Sequence, residues 1–198
     1  MFTGIIEARG VISSISEQGS NKTFRISSPL APELRPDQSL SHDGVCLTVE
    51  AISGGIYQVT AIAETLLKTS LSLWTPGSRI NLERCLQMNG RLDGHMVQGH
   101  IDTTATCIER LNEAGSSVFR FEYPETFRNL IIEKGSVAVN GISLTCFDVT
   151  SRSFAVAIIP YTLEHTNIQH LLPGSLVNIE FDLIGKYVER LYQSGIDR

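Results

Sequence analysis

The stretch Gly94-His95-Met96-Val97-Gln98-Gly99-His100-Ile101-Asp102 decides the fold, because there the chain begins a second time. Its inner part, Met96-Val97-Gln98-Gly99-His100-Ile101, aligns with Met1-Phe2-Thr3-Gly4-Ile5-Ile6 at an offset of 95 residues. The Met, the Gly and the final Ile are identical in the two copies. Chance could produce one such match, so the rest of the chain decides whether it marks a repeat.

Three further blocks align at an offset of 97 residues, as if the first copy had lost two residues in an early loop. Residues 43–48 match 140–145, residues 65–66 match 162–163, and residues 76–83 match 173–180. The last pair keeps Pro, Gly, Ser, Asn and Glu in register. The protein is therefore a tandem duplication. A period near 97 is too long for a solenoid repeat, so each copy is predicted to be a small domain with its own core.

The composition is that of an ordinary globular protein. The chain has 198 residues, of which 42% are hydrophobic and 19% charged, and its net charge is −5. Nucleic acid is not an expected partner, because binding it needs a cationic face. No apolar stretch approaches the length needed to cross a bilayer. The N-terminus lacks a basic region followed by a long apolar run, so we expect neither a secretory signal nor a membrane partner.

Cys46, Cys85, Cys107 and Cys146 are widely spaced and form no C-x-x-C pair. This spacing disfavours structural zinc or an iron–sulfur cluster. The five histidines add no ligand spacing, and His95 and His100 would lie on opposite faces of a strand. The sequence therefore predicts no metal site, and reduced thiols in a cytoplasmic protein.

Short strand-like runs broken by turn signals dominate both copies. Strands at this spacing are typical of closed or nearly closed antiparallel barrels. Residues 89–94 form a polar, glycine-bearing linker. In the tail, Val188, Leu191 and Tyr192 share one face at helical spacing. We predict an all-β protein of two tandem six-stranded antiparallel Greek-key barrels, residues 1–88 and 96–185, followed by a short C-terminal helix, residues 186–198.

The two copies differ where chemistry could lie. Cys46 corresponds to Ser143, Ile5 to His100 and Asp43 to Asn140. A free cysteine is most often a small buried hydrophobe, and a loop histidine often has no task. No phosphate-binding loop and no nucleophile elbow is present. The residues alone indicate a duplicated β-barrel binding protein, with an enzyme as the alternative.

The chain resembles riboflavin synthase, on four motifs: Met1-Phe2-Thr3-Gly4-Ile5-Ile6, Gly44-Val45-Cys46-Leu47-Thr48, the block 94–102, and Asn140-Gly141-Ile142-Ser143-Leu144-Thr145. The resemblance runs from residue 1 to about 189 and includes the duplication. It implies two barrels and a C-terminal helix in a homotrimer. It also implies a transferase without cofactor or metal, which dismutates two molecules of 6,7-dimethyl-8-ribityllumazine. The expected products are riboflavin and 5-amino-6-(ribitylamino)uracil.

The resemblance also implies the residues of two pockets, one for each lumazine. The first pocket is expected to be lined by Gly4, Ile5, Ile6, Cys46, Leu47, Thr48, Thr60, Ala61, Ile62, Ala63, Glu64 and Thr65. The second is expected to be lined by Gly99, His100, Ile101, Lys134, Ser143, Leu144, Thr145, Ala157, Ile158, Ile159, Pro160, Tyr161 and Thr162. Cys46, Ser39 and His100 are the expected catalytic residues. His100 would carry a proton, since its unperturbed pKa is near neutrality. Cys46 would act as nucleophile, proton relay or ring contact.

The expected complete site lies between the first barrel of one subunit and the second barrel of its neighbour, with Cys46 of one facing His100 of the other. Association with lumazine synthase is a further partner that the resemblance implies. A different class of function stays open: lumazine-binding carrier proteins resemble this family but catalyse nothing. Those carriers depart at the cysteine position, whereas this chain keeps Cys46 and His100, which favours the enzyme.

Overall fold

Most of the first half is strand in the computed structural model, which describes residues 1–113 and 115–196. The long strands alternate buried and exposed residues, as expected for a sheet with one face on a core. The elements of this half are β1 (Ala8–Gln18), β2 (Asn21–Ser27), β3 (Ser39–His42), β4 (Val45–Thr48), β5 (Ala51–Ser53), β6 (Ile56–Ala61), α1 (Ala63–Lys68) and β7 (Arg79–Arg84), with 3-10 turns at Ala31–Glu33 and Ser70–Leu73.

The second half repeats this order and then adds a helix. Its short helix and its 3-10 turns lie at the same points between strands as their counterparts in the first half. The elements are β8 (Thr103–Glu113), β9 (Ser116–Glu122), β10 (Ser136–Val139), β11 (Ile142–Phe147), β12 (Ser153–Ile158), α2 (Pro160–His165), β13 (Leu176–Phe181) and α3 (Leu183–Ile196), with 3-10 turns at Glu125–Leu130 and Asn167–His170.

The six strands of the second half close into an antiparallel barrel, in the order β10-β11-β12-β9-β8-β13. After β9 the chain crosses the end of the barrel through Glu125–Leu130, and β10 then pairs with β11 and β13 instead of β9. A return of this kind, past the neighbouring strand, is the Greek-key connection. The prediction of a six-stranded barrel is confirmed for this half.

The first half is rolled in the same way but is not fully closed. Its strands follow the order β4-β3-β7-β1-β2-β6-β5, so that β4 and β5 lie at the two ends of the ladder. Only Val49 and Glu50 separate these two strands, and Glu50 N–H donates to the Gln58 carbonyl at 2.9 Å. The strand that corresponds to β11 is therefore split into β4 and β5, which leaves a seven-stranded sheet and a barrel with a break.

Each half has its own hydrophobic core. In the second, Phe119, Phe121 and Phe154 are fully buried. Phe24 and Tyr57 are the large buried aromatic residues of the first. Burying each aromatic side chain is worth about 2–3 kcal/mol of hydrophobic free energy. Two full cores explain why the duplicated sequence keeps its apolar positions in both copies.

A two-fold pattern of hydrogen bonds joins the halves. Asn81 Nδ2 donates to the Asn140 carbonyl at 3.0 Å, and its counterpart Asn178 Nδ2 donates to the Asp43 carbonyl at 2.9 Å. Both asparagine side chains are completely buried. Since buried polar groups are costly when unpaired, these reciprocal bonds fix how one half docks on the other.

The C-terminal helix begins at Leu183, three residues before the predicted boundary, and its expected last residues, 197 and 198, lie outside the described part of the chain. Lys186 pairs with Asp102 at 2.6 Å, which ties the helix to the start of the second barrel. Across the described residues, helices are all too short or too polar to traverse a bilayer.

Candidate functional site

The opening segment of each half crosses to the barrel of the other half. Phe2 and Val97, which occupy equivalent positions in the repeat, form an isolated antiparallel bridge, with N–H to carbonyl distances of 2.6 and 3.1 Å. Because equivalent residues pair with each other, this bridge lies on the approximate two-fold axis. We call residues 1–6 the first arm and residues 95–101 the second arm.

Each arm reaches the position where the repeat differs between Cys46 and Ser143. The Gly99 carbonyl of the second arm accepts from Cys46 N–H at 2.9 Å. Correspondingly, the Gly4 carbonyl of the first arm accepts from Ser143 N–H at 2.8 Å. The first arm therefore covers part of the second barrel, and the second arm covers part of the first barrel.

Two buried carboxylates hold the arms. Glu83 accepts from the backbone N–H of Thr3 and Gly4 at 2.6 and 3.0 Å. Its counterpart Glu180 accepts from the N–H of Gly99 and His100 at 2.9 and 3.0 Å, and also from Gln98. Burial raises the pKa of both carboxyl groups, while the bonds from the backbone lower it. These bonds satisfy arm donors that would otherwise be left unpaired.

Glycine is required where each arm contacts the barrel of the other half. Gly99 has φ of +86°, and a Cβ there would lie 2.5 Å from the Cys46 Cβ. Gly4 has φ of +78°, and a Cβ there would lie 2.6 Å from the Ser143 Cβ. Both the backbone conformation and the close approach therefore exclude larger residues.

The first pocket is a cavity of about 240 Å³ on the outside of the first barrel. It brings Cys46 and His100 of the same chain together, so the expectation that they face each other from different subunits was wrong. The reason is the crossing of the second arm, which carries His100 to the first barrel. The lining residues are Val45, Cys46, Glu64, Thr65, Lys68, Thr69, Gly99, His100 and Ile101.

Cys46 is held as a thiol. Burial raises its pKa, as do Cys85 and Glu180, while a hydrogen bond with the Ser39 side chain lowers it. A raised pKa disfavours the thiolate, which is the nucleophilic form of cysteine. The geometry thus favours Cys46 as a proton donor or ring contact, and places Ser39 beside it. His100, which lines the same pocket, is exposed to solvent.

The remaining residues expected in the first pocket separate into two groups. Glu64 and Thr65 of α1 line it, and Glu64 is paired with Lys68 at 2.8 Å. The others do not line the cavity. Leu47 and Ala61 are buried in the core of the first barrel, and the hydroxyl groups of Thr60 and Thr23 are hydrogen-bonded at 2.9 Å. Thr48, Ile62 and Ala63 are close in sequence to residues that line the cavity but do not line it themselves.

The second pocket is a cavity of about 340 Å³ on the second barrel. Lys134 lies at its edge in a left-handed backbone conformation, with Nζ 5.6 Å from the centre of the Phe147 ring. Of the residues expected here, Ile158 is buried in the core, while Ile159, Pro160, Tyr161 and Thr162 belong to the start of α2 outside the cavity lining. The lining residues are Lys134, Ser143, Leu144, Thr145, Cys146, Phe147 and Ala157.

Each arm lies at the barrel whose pocket was expected to contain the other arm. Gly4 contacts Ser143, and Ile6 packs against the core of the second barrel. Ile101 packs against the core of the first barrel. Assigning residues 4–6 to the first pocket and 99–101 to the second was therefore wrong. Ile5 is about half exposed and faces neither pocket; it lines a larger open groove of about 760 Å³ beside the first barrel.

His95 is a site residue that the sequence reasoning passed over. Its Nδ1 lies 2.7 Å from Ser143 Oγ, the residue is only 8% exposed, and its Nε2 has no hydrogen-bond partner within the described part of the chain. Burial lowers its pKa, so the imidazole is neutral near pH 7 and able to accept a proton. The offset of 95 aligns Met96 with Met1, so His95 lies just outside the aligned motif. Its place directly before the second copy of the opening motif is the only sequence signal for it.

Comparisons with known proteins agree with this architecture. A family model described as the lumazine binding domain matches twice, over residues 3–85 and 98–182. Riboflavin synthase of Actinobacillus pleuropneumoniae is 40% identical over 191 residues, which cover 96% of this chain and 89% of that protein. Riboflavin synthases of Bacillus subtilis and Mycobacterium tuberculosis strain H37Rv are each 38% identical, covering 96% and 98% of this chain and 89% and 100% of those proteins.

Solved structures give the same fold at lower sequence identity. LumP complexed with riboflavin superposes with a TM-score of 0.86 and is 22% identical, covering 91% of this chain and 99% of that one. LumP complexed with 6,7-dimethyl-8-(1'-D-ribityl) lumazine gives a TM-score of 0.84 at the same identity and coverage.

Proposed function

We propose that this chain, which belongs to the riboflavin synthase family, converts two molecules of 6,7-dimethyl-8-ribityllumazine into riboflavin and 5-amino-6-(ribitylamino)uracil. One lumazine donates a four-carbon unit to the other. All atoms of the two substrates appear in the two products, so the reaction is a group transfer that needs no external oxidant or reductant. The protein is a transferase built from two lumazine-binding domains.

The observation that carries this function is a pair of related pockets with different proton-handling groups. Donor and acceptor are the same compound, so two similar pockets are needed to hold them. Yet one molecule must lose a proton from its acidic 7-methyl group while a nucleophile adds to the other, so the pockets must act differently. Cys46, Ser39 and His100 serve one, and Ser143 with His95 serves the other. Holding two reactants in place supplies much of the rate, by analogy with effective molarities of about 10⁵ M or more.

The test of this function is turnover of the lumazine alone. Purified protein, incubated with the lumazine and a chelator, should yield riboflavin and the uracil product in equal amounts. Binding without turnover across a range of pH would instead support the alternative, a lumazine or flavin carrier. A reaction abolished by the chelator would contradict a mechanism that uses only the side chains of the protein.

The complete site is proposed to form between subunits of a homotrimer, the first pocket of one chain meeting the second pocket of its neighbour. Exposed apolar residues of α3 support assembly through the tail: Val188, Leu191 and Tyr192 are 60%, 73% and 72% exposed in the single chain. A groove of about 520 Å³ between this helix and the second barrel adds to that apolar face. Truncation after Asp182 should shift sedimentation from trimer towards monomer; an unchanged trimer would mean that the barrels hold the subunits together.

A complementation experiment tests the intersubunit site. Because Cys46 and His100 share a pocket, variants of these two residues cannot rescue each other; one variant must come from each pocket. In a mixed trimer of Cys46→Ser and Lys134→Ala chains, the first chain offers an intact second pocket and the second chain an intact first pocket. Trimers isolated by two different tags should therefore be faster than the average of their parents. The pair Cys46→Ser and His100→Ala is the control that should show no rescue.

Three expectations stay predictions. They are the division into residues 1–88, residues 96–185 and a tail, the cytoplasmic location, and the association with lumazine synthase. The division can be tested by limited proteolysis, which should cut first within residues 89–94, where the side chains are exposed. The location rests on the cysteine pattern, and the four thiols are free in the structure. Co-sedimentation with purified lumazine synthase tests the partner.

A further inference from the structure

Four basic side chains converge at the joint between the two halves, on a face separate from both pockets. Arg9 and Arg79 extend from β1 and β7, which pair antiparallel so that these two residues share one face of the sheet. Arg110 comes from β8, and His170 ends a 3-10 turn of the second half. Arg79 and His170 line the same cavity, and burial together with the charges of all three arginines lowers the pKa of His170.

Arg110 is fixed in this cluster without help from a carboxylate. Its Nη1 donates to the carbonyls of Gln169 and Leu171 at 2.8 and 3.2 Å, on either side of His170. Its guanidinium carbon lies 5.2 Å from the centre of the Phe119 ring. Its Nε is buried and has no hydrogen-bond partner among residues 1–113 and 115–196. The positive charge is therefore held in place, with one donor group still unpaired.

A cavity of about 340 Å³ opens between the halves at this cluster. Asn167, in its wall, is anchored by its N–H to Asn81 Oδ1 at 2.7 Å and by its Nδ2 to Asp43 Oδ1 at 2.9 Å. The residues lining the cavity are Gly77, Arg79, Asn167, His170 and Leu171.

The positive charge of the cluster is not balanced. In the described part of the chain, Arg9, Arg79 and Arg110 take part in no ion pair, although the whole protein is acidic with a net charge of −5. Asp43 is the carboxyl group that lies behind the cavity wall, where it accepts a hydrogen bond from Asn167. It is completely buried, and burial raises its pKa to about 7, so it is only partly charged at neutral pH.

The cluster is not a by-product of the duplicated fold. At the equivalent positions on the opposite face, Arg79 is replaced by Leu176 and His170 by Leu73, which are 37% and 63% exposed. Arg9 is replaced there by Thr104. One face of a two-fold scaffold has thus acquired cations, whereas the equivalent positions on the other face hold two leucines and a threonine.

We propose that this cluster binds a small oxyanion, either inorganic phosphate or the phosphate group of a monoester, at the joint between the halves. Guanidinium groups present planar pairs of N–H donors that match the spacing of phosphate oxygens. Arg79 and His170 line the cavity and would contact the anion, while Arg9 and Arg110 add positive charge around it. Because the anion sits between residues of both halves, it strengthens their docking.

Isothermal titration with inorganic phosphate at constant ionic strength tests the site. We expect Arg79→Gln to weaken binding at least about tenfold, the loss typical of one charge-assisted hydrogen bond. Arg35→Gln is the matched control, because it removes an exposed arginine of the same half that lines the open groove beside the first barrel and not this cavity. Equal weakening by both variants would show that phosphate responds only to overall charge and would overturn the proposal, as would no binding by the wild-type protein. Thermal melting without phosphate checks that both variants fold.

Proton NMR of His170 supplies a second measurement. Bound phosphate should raise the pKa of His170 in the wild-type protein but not in Arg79→Gln, since an adjacent anion favours the imidazolium. A histidine resonance that does not respond to phosphate would contradict the assignment. Glycerol phosphate, titrated in parallel, distinguishes the two sources: tighter binding than inorganic phosphate identifies a monoester site, and equal or weaker binding identifies a site for the free ion.

Discussion

The two pockets of the duplicated fold share one backbone arrangement and differ in their side chains. Both are closed by an arm whose glycine carbonyl accepts from the backbone of β4 or β11, and both arms are held by a buried glutamate. The side chains at the matching position differ. Cys46 is a thiol beside Ser39, whereas Ser143 is bonded to the buried imidazole of His95. The backbone around the two pockets is thus alike, and we propose that the few side chains that differ give the pockets different roles in proton transfer.

The arm contact should be the most sensitive part of this comparison. In Gly99→Ala, the new Cβ would meet Cys46 at 2.5 Å in addition to the strain at positive φ, so we expect a loss of about 3–5 kcal/mol and no measurable turnover. Gly77→Ala is the control, with φ of +93° and nothing within 4 Å of its Cβ, and should cost only about 1 kcal/mol. Urea denaturation measures both. Similar losses would show that backbone strain, not the arm contact, dominates.

The next largest effect is expected at the joint between the halves, where Asp43 of the first half occupies the position of Asn140 in the second half. Burial raises the pKa of Asp43 from 3.8 to about 7 in the folded protein. Stability from this group is therefore fully present below about pH 4 and is lost as the pH rises through about 7. Asp43→Asn keeps an acceptor for Asn81 N–H and should be more stable than the wild type above pH 7, by on the order of 4 kcal/mol.

The pH dependence is the decisive measurement for Asp43. Urea denaturation should give nearly equal stabilities for Asp43→Asn and wild type at pH 4, and a growing difference between pH 4 and pH 8. Asp37→Asn, at an exposed position that also has positive φ, should change little at any pH. A stability difference that does not vary with pH would mean that Asp43 is ionised in the folded protein throughout.

His95 tests whether the second pocket moves protons. His95→Gln should lower kcat about 100-fold, the contribution typical of a general base, with little change in KM. Because burial lowers the pKa of His95, the kcat of the wild-type protein should persist at pH values somewhat below 6.5 and fall only when His95 is protonated. The variant should not show this fall in kcat at acidic pH. Ser143→Ala should act alike, and the double variant should be no slower than either. A change in KM alone would indicate that the pair only binds substrate.

Cys46 should give the smallest effect. Since burial holds it as a thiol, Cys46→Ser keeps a hydrogen-bonding group, and we expect turnover to fall only about tenfold. The same raised pKa predicts slow alkylation by iodoacetamide at neutral pH, which mass spectrometry can follow with and without bound lumazine. A fall of several thousandfold would instead identify Cys46 as the attacking nucleophile.

The sequence predicted the halves better than it predicted how they meet. The fixed offset identified the duplication, and the strand texture identified the barrels, because both are local properties. The crossing of the arms was not predictable, since residues 1–6 follow the same pattern as residues 95–101 whichever barrel they cover. His95 was missed for a related reason: its partner Ser143 is 48 residues away, and His95 lies outside the aligned opening motif. The split into β4 and β5 depends on two residues, Val49 and Glu50, and neither residue type is unusual in a strand.

The exchanged arms have a consequence for how such a protein could arise. A single half, by itself, carries an arm shaped for a barrel other than its own, and its own pocket stands open. Two identical halves could satisfy each other by swapping arms around the Phe2–Val97 axis, which gives a closed dimer of a self-complementary kind. Such a dimer has two identical pockets, and every substitution appears in both. Fusion of the two genes removes that constraint, so that a cysteine and a serine can occupy what was once the same position.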